Sequence, residues 1–275
     1  MARRGDQTRQ QIRWRLSAQL SDHLDSTASG HGDLTRVVDK FRFEGTGTWQ
    51  GKYLYFPTGT HSGSEVAVVS FLPGSYLGFF PTLAGTVASG EVYEVHMRSI
   101  KDYNDAIARA EFHGRERYLV DAVATLTWIG DTYEYTLGGI TMDWLAIVET
   151  DYVTNTWNKL KGPTSGPRSQ WRVEFGDVAL LVFDRRRTQL NASGAAMRLV
   201  GQRKPIPMVL DSDTCEFPVD YIIERATLMM QERLSSASDA EAHLQRADRA
   251  LQRAMGEELN LLNPMPGSVP LRMNW

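Results

Sequence analysis

The sequence predicts an α+β fold: a β-rich body, made of a small β module and a second β region, with an N-terminal amphipathic helix, a middle helix and a long C-terminal helical segment. Apolar residues recur at helical spacing near the N-terminus, after residue 99 and after residue 218. Between these stretches they form short runs bounded by glycine or proline, which is typical of strands. Hydrophobic residues make up 42% and charged residues 23% of the chain, as in ordinary globular proteins.

The N-terminal arm, residues 1–34, is predicted to be an amphipathic helix followed by a joint. Ile12, Leu16 and Leu20 recur every four residues while arginines fill other positions, which places a helix over residues 6–24. Residues 26–33 are small and turn-forming, so they are expected to end the helix and to be flexible.

Residues 35–98 are predicted to form a small β-barrel or sheet module. Five runs of alternating or aromatic-rich residues are each bounded by glycine or proline, which favours antiparallel strands. These runs cover residues 37–43, 52–56, 65–72, 76–80 and 91–97.

The next part, residues 99–217, is predicted to contain a helix and a second β-rich region. Tyr103, Ile107 and Ala110 repeat at helical spacing, so the helix is placed over residues 99–118. A loop at 159–169 is rich in proline, glycine and serine and interrupts the strands. The strands are predicted over residues 122–128, 132–137, 144–150, 171–175, 178–183 and 196–200.

Residues 218–263 are predicted to be the long C-terminal helical segment. Steps of four and three residues from Val219 to Ala254 give an apolar seam that only Arg233 interrupts. Such a seam needs a helical partner in the same or a neighbouring subunit, and the sequence leaves open whether the segment is one bent helix or two. The partner-binding residues that it indicates are Ile223, Met230, Leu244 and Leu251.

The last residues, 264–275, are predicted to be an extended arm that docks on another polypeptide. Prolines hold such a segment extended and reduce the entropy that it loses on binding. Leu271, Met273 and Trp275 alternate along the arm and are its predicted apolar anchors.

Charge and cysteine content exclude several classes of protein. The 275 residues include 30 basic and 33 acidic ones, and the net charge of −3 gives no overall positive field for nucleic acid. The single cysteine, Cys215, allows no internal disulfide and no cysteine-based zinc site. Since no apolar run is long enough for a membrane span or a signal peptide, we expect synthesis in the cytoplasm and no membrane partner.

The sequence lacks the motifs that usually carry catalysis. Its six histidines are dispersed and do not have the spacing of metal ligands. Residues 59–63 lack the order of a nucleophile elbow, and residues 45–51 depart from the dinucleotide fingerprint. We therefore expect no catalytic residue, no cofactor and no metal, and a protein that is not an enzyme.

Two local clusters of positive charge stand out in this acidic sequence. One comprises the arginines of residues 3–15, and the other includes Arg185, Arg186 and Arg187. Each is either a solvated face or a contact for an acidic partner or a phosphate backbone. Because no recognition motif accompanies them, any contact with DNA is expected to be non-specific.

The order of parts resembles that of a known class of structural proteins. After the N-terminal helix come residues 88–95 (ASGEVYEV), 102–110 (DYNDAIARA), 199–205 (LVGQRKP) and 213–221 (DTCEFPVDY), which lead into an alanine-rich helix. In this order they resemble virion structural proteins of tailed bacteriophages, in particular neck or head-to-tail adaptor proteins.

The resemblance implies a virion protein without enzymatic activity, present as a ring in the neck between portal and tail. Its partners would be copies of itself, the portal, and tail or other neck proteins, with non-specific contact to DNA in the channel. Two alternatives stay open: a collar protein that carries fibres, and a glycan-binding virion module built around Trp49, Tyr53 and Tyr55.

Overall fold

The structure is a computed structural model, in which the chain divides into two compact units. The first unit joins Met1–Phe112 to Pro207–Leu251, and the second joins His113–Ile206 to Gln252–Trp275. Each unit is therefore assembled from two separate stretches of sequence. The structure describes residues 7–22, 24–115, 118–153, 156–188, 194–231, 242, 244–250, 252 and 268–271.

A seven-stranded antiparallel sheet forms the body of the first unit. Its strands are β1 (Leu24–Thr27), β2 (Gly30–Asp33), β3 (Arg36–Val38), β4 (Tyr53–Tyr55), β5 (Glu65–Leu72), β6 (Tyr76–Phe80) and β7 (Val92–His96). Across the sheet their order is β1-β7-β4-β5-β6-β3-β2. The edge strands β1 and β2 follow each other in the chain with two residues between them, so the sheet curls around its inner face.

The inner face of this sheet carries the apolar core of the first unit. Because side chains alternate along a strand, Val66 and Val68 of β5 point to the same face, where they meet Leu77 and Phe79 of β6. The core also contains Ala28, Val37, Leu54, Phe56, Phe71, Leu83, Val87, Tyr93 and Val95. All five strand runs predicted within residues 35–98 contribute to this sheet or to its core.

The described helices of the first unit include α1 (Arg9–Gln19), most of α2 (Ile100–Arg115) and α3 (Val219–Gln231). Helix α1 begins with a capping box, in which Thr8 and Gln11 exchange hydrogen bonds between side chain and main chain. Helix α1 contacts α3, where Arg15 Nη2 lies 2.8 Å from Asp220 Oδ1. Among the described residues, no helix has both the length and the apolar character that crossing a membrane requires.

The long C-terminal helical segment predicted over residues 218–263 is wrong. Helix α3 ends at Gln231 after 13 residues, and of the described residues beyond it 244–250 are helical. Three consecutive residues of α3, Tyr221, Ile222 and Ile223, are buried. Burial this broad is typical of a helix in a globular core, whereas a two-helix seam buries a narrow stripe. The described part of the chain is therefore β-rich, with three sheets and helices of up to 16 residues.

The joint predicted over residues 26–33 is also wrong, because all of these residues except Ala28 and Ser29 belong to strands β1 and β2. Helix α1 ends earlier than predicted, at Gln19. The glycines of this stretch allow close packing: a Cβ atom on Gly32 would lie 2.0 Å from the carbonyl oxygen of Arg36. Only glycine fits at this position, so the small residues serve a tight strand pairing.

The second unit contains two antiparallel sheets that share one core. Its strands are β8 (Val120–Thr127), β9 (Glu134–Thr136), β10 (Trp144–Val153), β11 (Thr156–Lys159), β12 (Trp171–Glu174), β13 (Leu180–Phe183), β14 (Ala196–Arg203) and β15 (Val269–Pro270). One sheet has the order β11-β10-β14-β8, with β15 paired to β10, and the other has the order β12-β13-β9. Leu145 and Leu199 from the first sheet share a core with Leu181 and Phe183 from the second. The predicted loop at 159–169 contains a short 3-10 helix, Pro163–Arg168.

Candidate functional site

A buried cluster of polar side chains lies beneath helix α1, on the outer face of the seven-stranded sheet. Tyr55 of β4 and Glu94 of β7 are opposite each other in the ladder and point away from the apolar core. Strand β7 also contributes His96, helix α1 contributes Arg13, and the segment before α3 contributes Asp211. We call this group the Arg13 cluster, and it consists of Arg13, Tyr55, Glu94, His96 and Asp211.

The centre of the cluster is a two-point ion pair between Arg13 and Asp211. Nη1 of Arg13 lies 2.9 Å from Oδ1, and Nη2 lies 2.8 Å from Oδ2. The Tyr55 hydroxyl donates to Oδ2 of Asp211 at 2.6 Å, and Arg9 adds a contact of 3.0 Å to Oδ1. Pairs with this forked geometry are among the strongest polar contacts in proteins. Asp211 is therefore held from three directions.

Glu94 extends the network along strand β7. Its Oε2 lies 4.0 Å from Nε of Arg13 and 2.9 Å from Nε2 of His96, while Trp14 donates to its Oε1. The other ring nitrogen of His96 lies 3.1 Å from the carbonyl oxygen of Asp22. The imidazole is thus held on both sides.

Charge and hydrogen bonds keep both carboxyl groups of the cluster ionised. Burial alone would raise the pKa of Asp211, but hydrogen bonds from Arg13 and Tyr55 and the charge of Arg13 lower it to about 2. Burial also opposes ionisation of Glu94, yet its hydrogen bond with His96 and the charge of Arg13 lower its pKa below the ordinary value. Two carboxylates therefore face one buried guanidinium at neutral pH.

The cluster is closed to solvent. The side chains of Arg13, Glu94 and His96 are fully buried, and that of Asp211 is 20% exposed. A substrate therefore does not reach these groups in this conformation. Among the described residues, no three histidine, cysteine or acidic side chains are grouped as a metal would require. The arrangement anchors α1 and the segment before α3 to the sheet.

The Arg13 cluster was not predicted. The arginines of residues 3–15 were expected to form a solvated face or a contact for an acidic partner, whereas Arg9 and Arg13 pair with Asp211 and Arg15 pairs with Asp220. These partners lie 198 to 205 residues apart, so no local spacing connects them. Arg3 and Arg4 lie outside the described residues. The one feature of the sequence that could have indicated this cluster is the excess of arginine on a helix that also carries apolar residues.

Five exposed apolar side chains lie on the β5–β6 hairpin or in the loop beside it. Val69, Leu72 and Phe80 belong to the two strands. Phe41 and Phe43 belong to the loop after β3, which hydrogen-bonds to the turn between β5 and β6 and places the ring of Phe43 beside Gly74. These two side chains are 79% and 76% exposed. We call this set the apolar face, and it consists of Phe41, Phe43, Val69, Leu72 and Phe80.

The aromatic residues considered for glycan binding do not form an open platform. The ring of Trp49 packs on the core and has Lys52 Nζ 4.4 Å from its centroid, with Arg42 at 6.0 Å. Tyr55 is buried in the Arg13 cluster. Only Tyr53 of the three is exposed. The glycan alternative therefore has no support from these residues.

The basic residues Arg185, Arg186 and Arg187 form an exposed turn after strand β13. The guanidinium of Arg185 lies 5.0 Å from the centroid of the Tyr133 ring, and Nε of Arg187 lies 3.4 Å from Oδ2 of Asp184. The main-chain N–H of Arg186 donates to Asp184 at 2.8 Å. The turn is thus fixed locally while its three side chains remain accessible.

The predicted partner-binding residues lie in different environments. Ile223 and Met230 are buried in the first unit, whereas Leu244 is 36% exposed. Leu251, Met273 and Trp275 lie outside the described residues. The described members of this set therefore differ in exposure, with Ile223 and Met230 in the core and Leu244 at the surface.

Leu271 was predicted to anchor an arm on another polypeptide, but it docks on its own chain. Its N–H donates to the carbonyl oxygen of Asp143 at 2.7 Å, next to the pairing of β15 with β10. Its side chain joins the core of the second unit and borders a cavity of about 600 Å³ between residues 137–142 and 175–179. At residues 269–271, therefore, the arm docks on its own chain, with Val269–Pro270 as strand β15 and Leu271 in the core of the second unit.

Comparison with known proteins gives no relative: no protein-family model matches the chain, and no curated protein is similar to it.

Proposed function

We propose that the chain is a structural subunit of a tailed-phage virion that forms a ring in the neck, between portal and tail. The order of residues 88–95, 102–110, 199–205 and 213–221 along the sequence supports the phage assignment. The observation that carries the assembly role is the apolar face, whose three phenylalanines, one leucine and one valine are exposed on the β5–β6 hairpin and the loop beside it. Exposed apolar patches of this kind mark surfaces that bind other proteins.

The energetics favour covering the apolar face. Burying one phenylalanine side chain stabilises a protein or complex by about 1.5–3 kcal/mol. Three such rings supply about 5–9 kcal/mol of gross driving force, from which the costs of association are subtracted. We assign this face to the contacts between neighbouring copies in the ring. In a ring, each such contact joins the apolar face of one copy to a different surface of the next copy.

The proposal is tested by electron microscopy of the purified full-length chain. The informative variant is Leu72→Glu, which places a charge on the apolar face. Its matched control is Ile129→Glu, because Ile129 is an exposed aliphatic residue of the second unit. We expect rings from the unchanged chain and from Ile129→Glu, and isolated subunits from Leu72→Glu. Isolated subunits from the unchanged chain would contradict the ring, and equal behaviour of the two variants would contradict the role of the apolar face.

A further inference from the structure

We propose that strand β8 of one copy pairs with strand β11 of the next, so that the second units of neighbouring subunits share a continuous antiparallel sheet. This inference rests on the proposed ring. Strands β8 and β11 are the two outer strands of the sheet β11-β10-β14-β8. In the part of the chain that the structure describes, neither strand has a partner on its outer side.

The strand directions permit this pairing. Each of the three ladders that connect β11 to β8 is antiparallel, so β8 and β11 run in opposite directions. When β8 is placed beside β11 of the next copy, the antiparallel alternation continues without interruption. The contact joins two different surfaces, which is the kind of interface that closes into a ring.

The hydrogen-bonding groups at the free edge of β8 belong to its odd-numbered residues. The N–H of Trp128 donates to the carbonyl oxygen of Ala195 at 2.8 Å, at the end of the β8–β14 ladder. Since alternate residues of a strand bond to opposite sides, the even-numbered residues of β8 bond to β14. Asp121 and Val123 therefore direct their N–H and C=O groups to the free edge.

The free edge of β11 has the matching parity. The N–H of Leu160 donates to the carbonyl oxygen of Val148 at 2.9 Å, which extends the β10–β11 ladder by one residue pair. Even-numbered residues of β11 thus bond to β10, and Trp157 and Lys159 direct their main-chain groups outward. The alternation is consistent across the two inner strands. In β14, Leu199 bonds toward β8, where it pairs with Ala124, and the neighbouring residue, Arg198, bonds toward β10, where it pairs with Glu149.

The side chains at these edges are complementary when outward residues are placed opposite each other. Asp121 then lies opposite Lys159 of the next copy, and Val123 lies opposite Trp157. The first is an opposite-charge pair and the second a β-branched and aromatic pair, both of which stabilise adjacent strands. Val123 is 63% exposed in the single chain, so this pairing would remove it from water.

The two pairs also lie on one face of the extended sheet. One row of directly paired residues crosses the whole sheet, and the side chains of such a row share a face. This row consists of Thr125 in β8, Arg198 in β14, Glu149 in β10 and Lys159 in β11. Residues an even number of positions apart in a strand also share a face, so Asp121 and Val123 lie on the face of Thr125, and Trp157 lies on that of Lys159. The apolar and charged contacts therefore form without turning either strand over.

Strand β8 lacks the features that usually protect an edge strand. Such strands commonly carry lysine, proline or a bulge that prevents pairing with another chain. The β8 sequence VDAVATLT contains neither lysine nor proline, and its eight-residue register with β14 is regular. Its inward side chains Ala122, Ala124 and Leu126 are only partly buried, so a further strand would complete their cover. An open edge of this kind favours strand addition.

Disulfide crosslinking tests the pairing directly. Variants Asp121→Cys and Lys159→Cys are purified separately, mixed and oxidised. The Cα atoms of two opposite residues in a hydrogen-bonded pair lie about 5.5 Å apart, and a disulfide can span this distance. The native Cys215 is fully buried and does not compete. We expect a covalent dimer in the mixture and none from either variant alone. Rings without this crosslink would overturn the pairing and leave the proposed function intact, whereas absence of rings would contradict both.

Charge reversal provides a second test that does not depend on cysteine chemistry. Asp121→Lys places two lysines opposite each other, and we expect it to raise the concentration required for assembly about tenfold. Combining Asp121→Lys with Lys159→Asp restores the opposite charges and should restore assembly. If the double variant assembles no better than the single variant, the proposed register is wrong.

Discussion

At the scale of single residues, Arg13 determines where helix α1 lies. Its guanidinium is buried between Asp211 and Glu94, which belong to different parts of the chain. Replacing one partner of a buried ion pair leaves the other charge without compensation, which costs about 3–5 kcal/mol. We therefore expect Arg13→Ala to lower the free energy of unfolding by an amount in this range, as measured by chemical denaturation.

The control for this experiment is Arg15→Ala. Arg15 lies on the same helix and pairs with Asp220, but both side chains are largely exposed. Exposed ion pairs contribute about 0–1 kcal/mol, so this variant should unfold almost as the unchanged chain does. Similar losses from the two variants would show that Arg13 does not hold the helix in place.

Asp211 makes the stability depend on pH in the acid range. Its pKa is about 2 in the folded chain against an ordinary value of 3.8. A carboxyl group whose pKa is lower in the folded chain stabilises the fold at any pH above its unfolded pKa. This contribution is lost as the pH falls through the folded pKa. We expect the melting temperature to fall between pH 4 and pH 2, with a smaller fall in Asp211→Asn. Parallel curves for the two proteins would contradict this role.

At the scale of elements, helix α3 belongs to the core whereas the described residues after it do not bury an equivalent face. Ile223 is buried in α3, and Leu244 of the helical residues 244–250 is exposed. Deleting a buried isoleucine side chain costs about 2–5 kcal/mol. Ile223→Ala should therefore strongly lower the free energy of unfolding, while Leu244→Ala should leave it nearly unchanged. Equal effects in denaturation would contradict this difference.

The turn of Arg185, Arg186 and Arg187 is the element that we propose to face DNA in the channel. Because each neutralised phosphate releases counterions, glutamine at all three positions should weaken non-specific DNA binding and reduce its salt dependence. Arg172→Gln is the control, since Arg172 is exposed but paired with Glu174. Binding curves recorded at several salt concentrations check this prediction. An unchanged salt dependence in the triple variant would show that the turn faces solvent and does not contact DNA.

Elements with a local signal were predictable, and those that depend on distant partners were not. The strands of residues 65–72 and 76–80 are bounded by a Pro-Gly turn, and they are observed as β5 and β6 within the same limits. Strands β1 and β2 were missed because their glycines and serines have low strand propensity, and their pairing depends on β3 and β7. The C-terminal seam was overextended because an apolar repeat does not reveal where a helix meets its core.

At the scale of the whole molecule, the candidate surfaces differ in how far the sequence indicates them. The basic turn was visible as a run of three arginines. The apolar face was not, because Phe41, Val69 and Phe80 come from separate strands and loops and look like core residues in sequence. The Arg13 cluster joins residues about 200 positions apart. Its members become neighbours only when the first unit combines both of its stretches.

The central claim, that this chain is a subunit of a ring, is tested most directly by measuring its molar mass in solution. Light scattering across a range of concentrations gives the number of copies of the 30.9 kDa chain in each particle. We expect a fixed mass of several copies that stays constant above a threshold concentration, as a closed ring requires. A mass of one copy at every concentration would contradict it, and so would a mass that grows without limit.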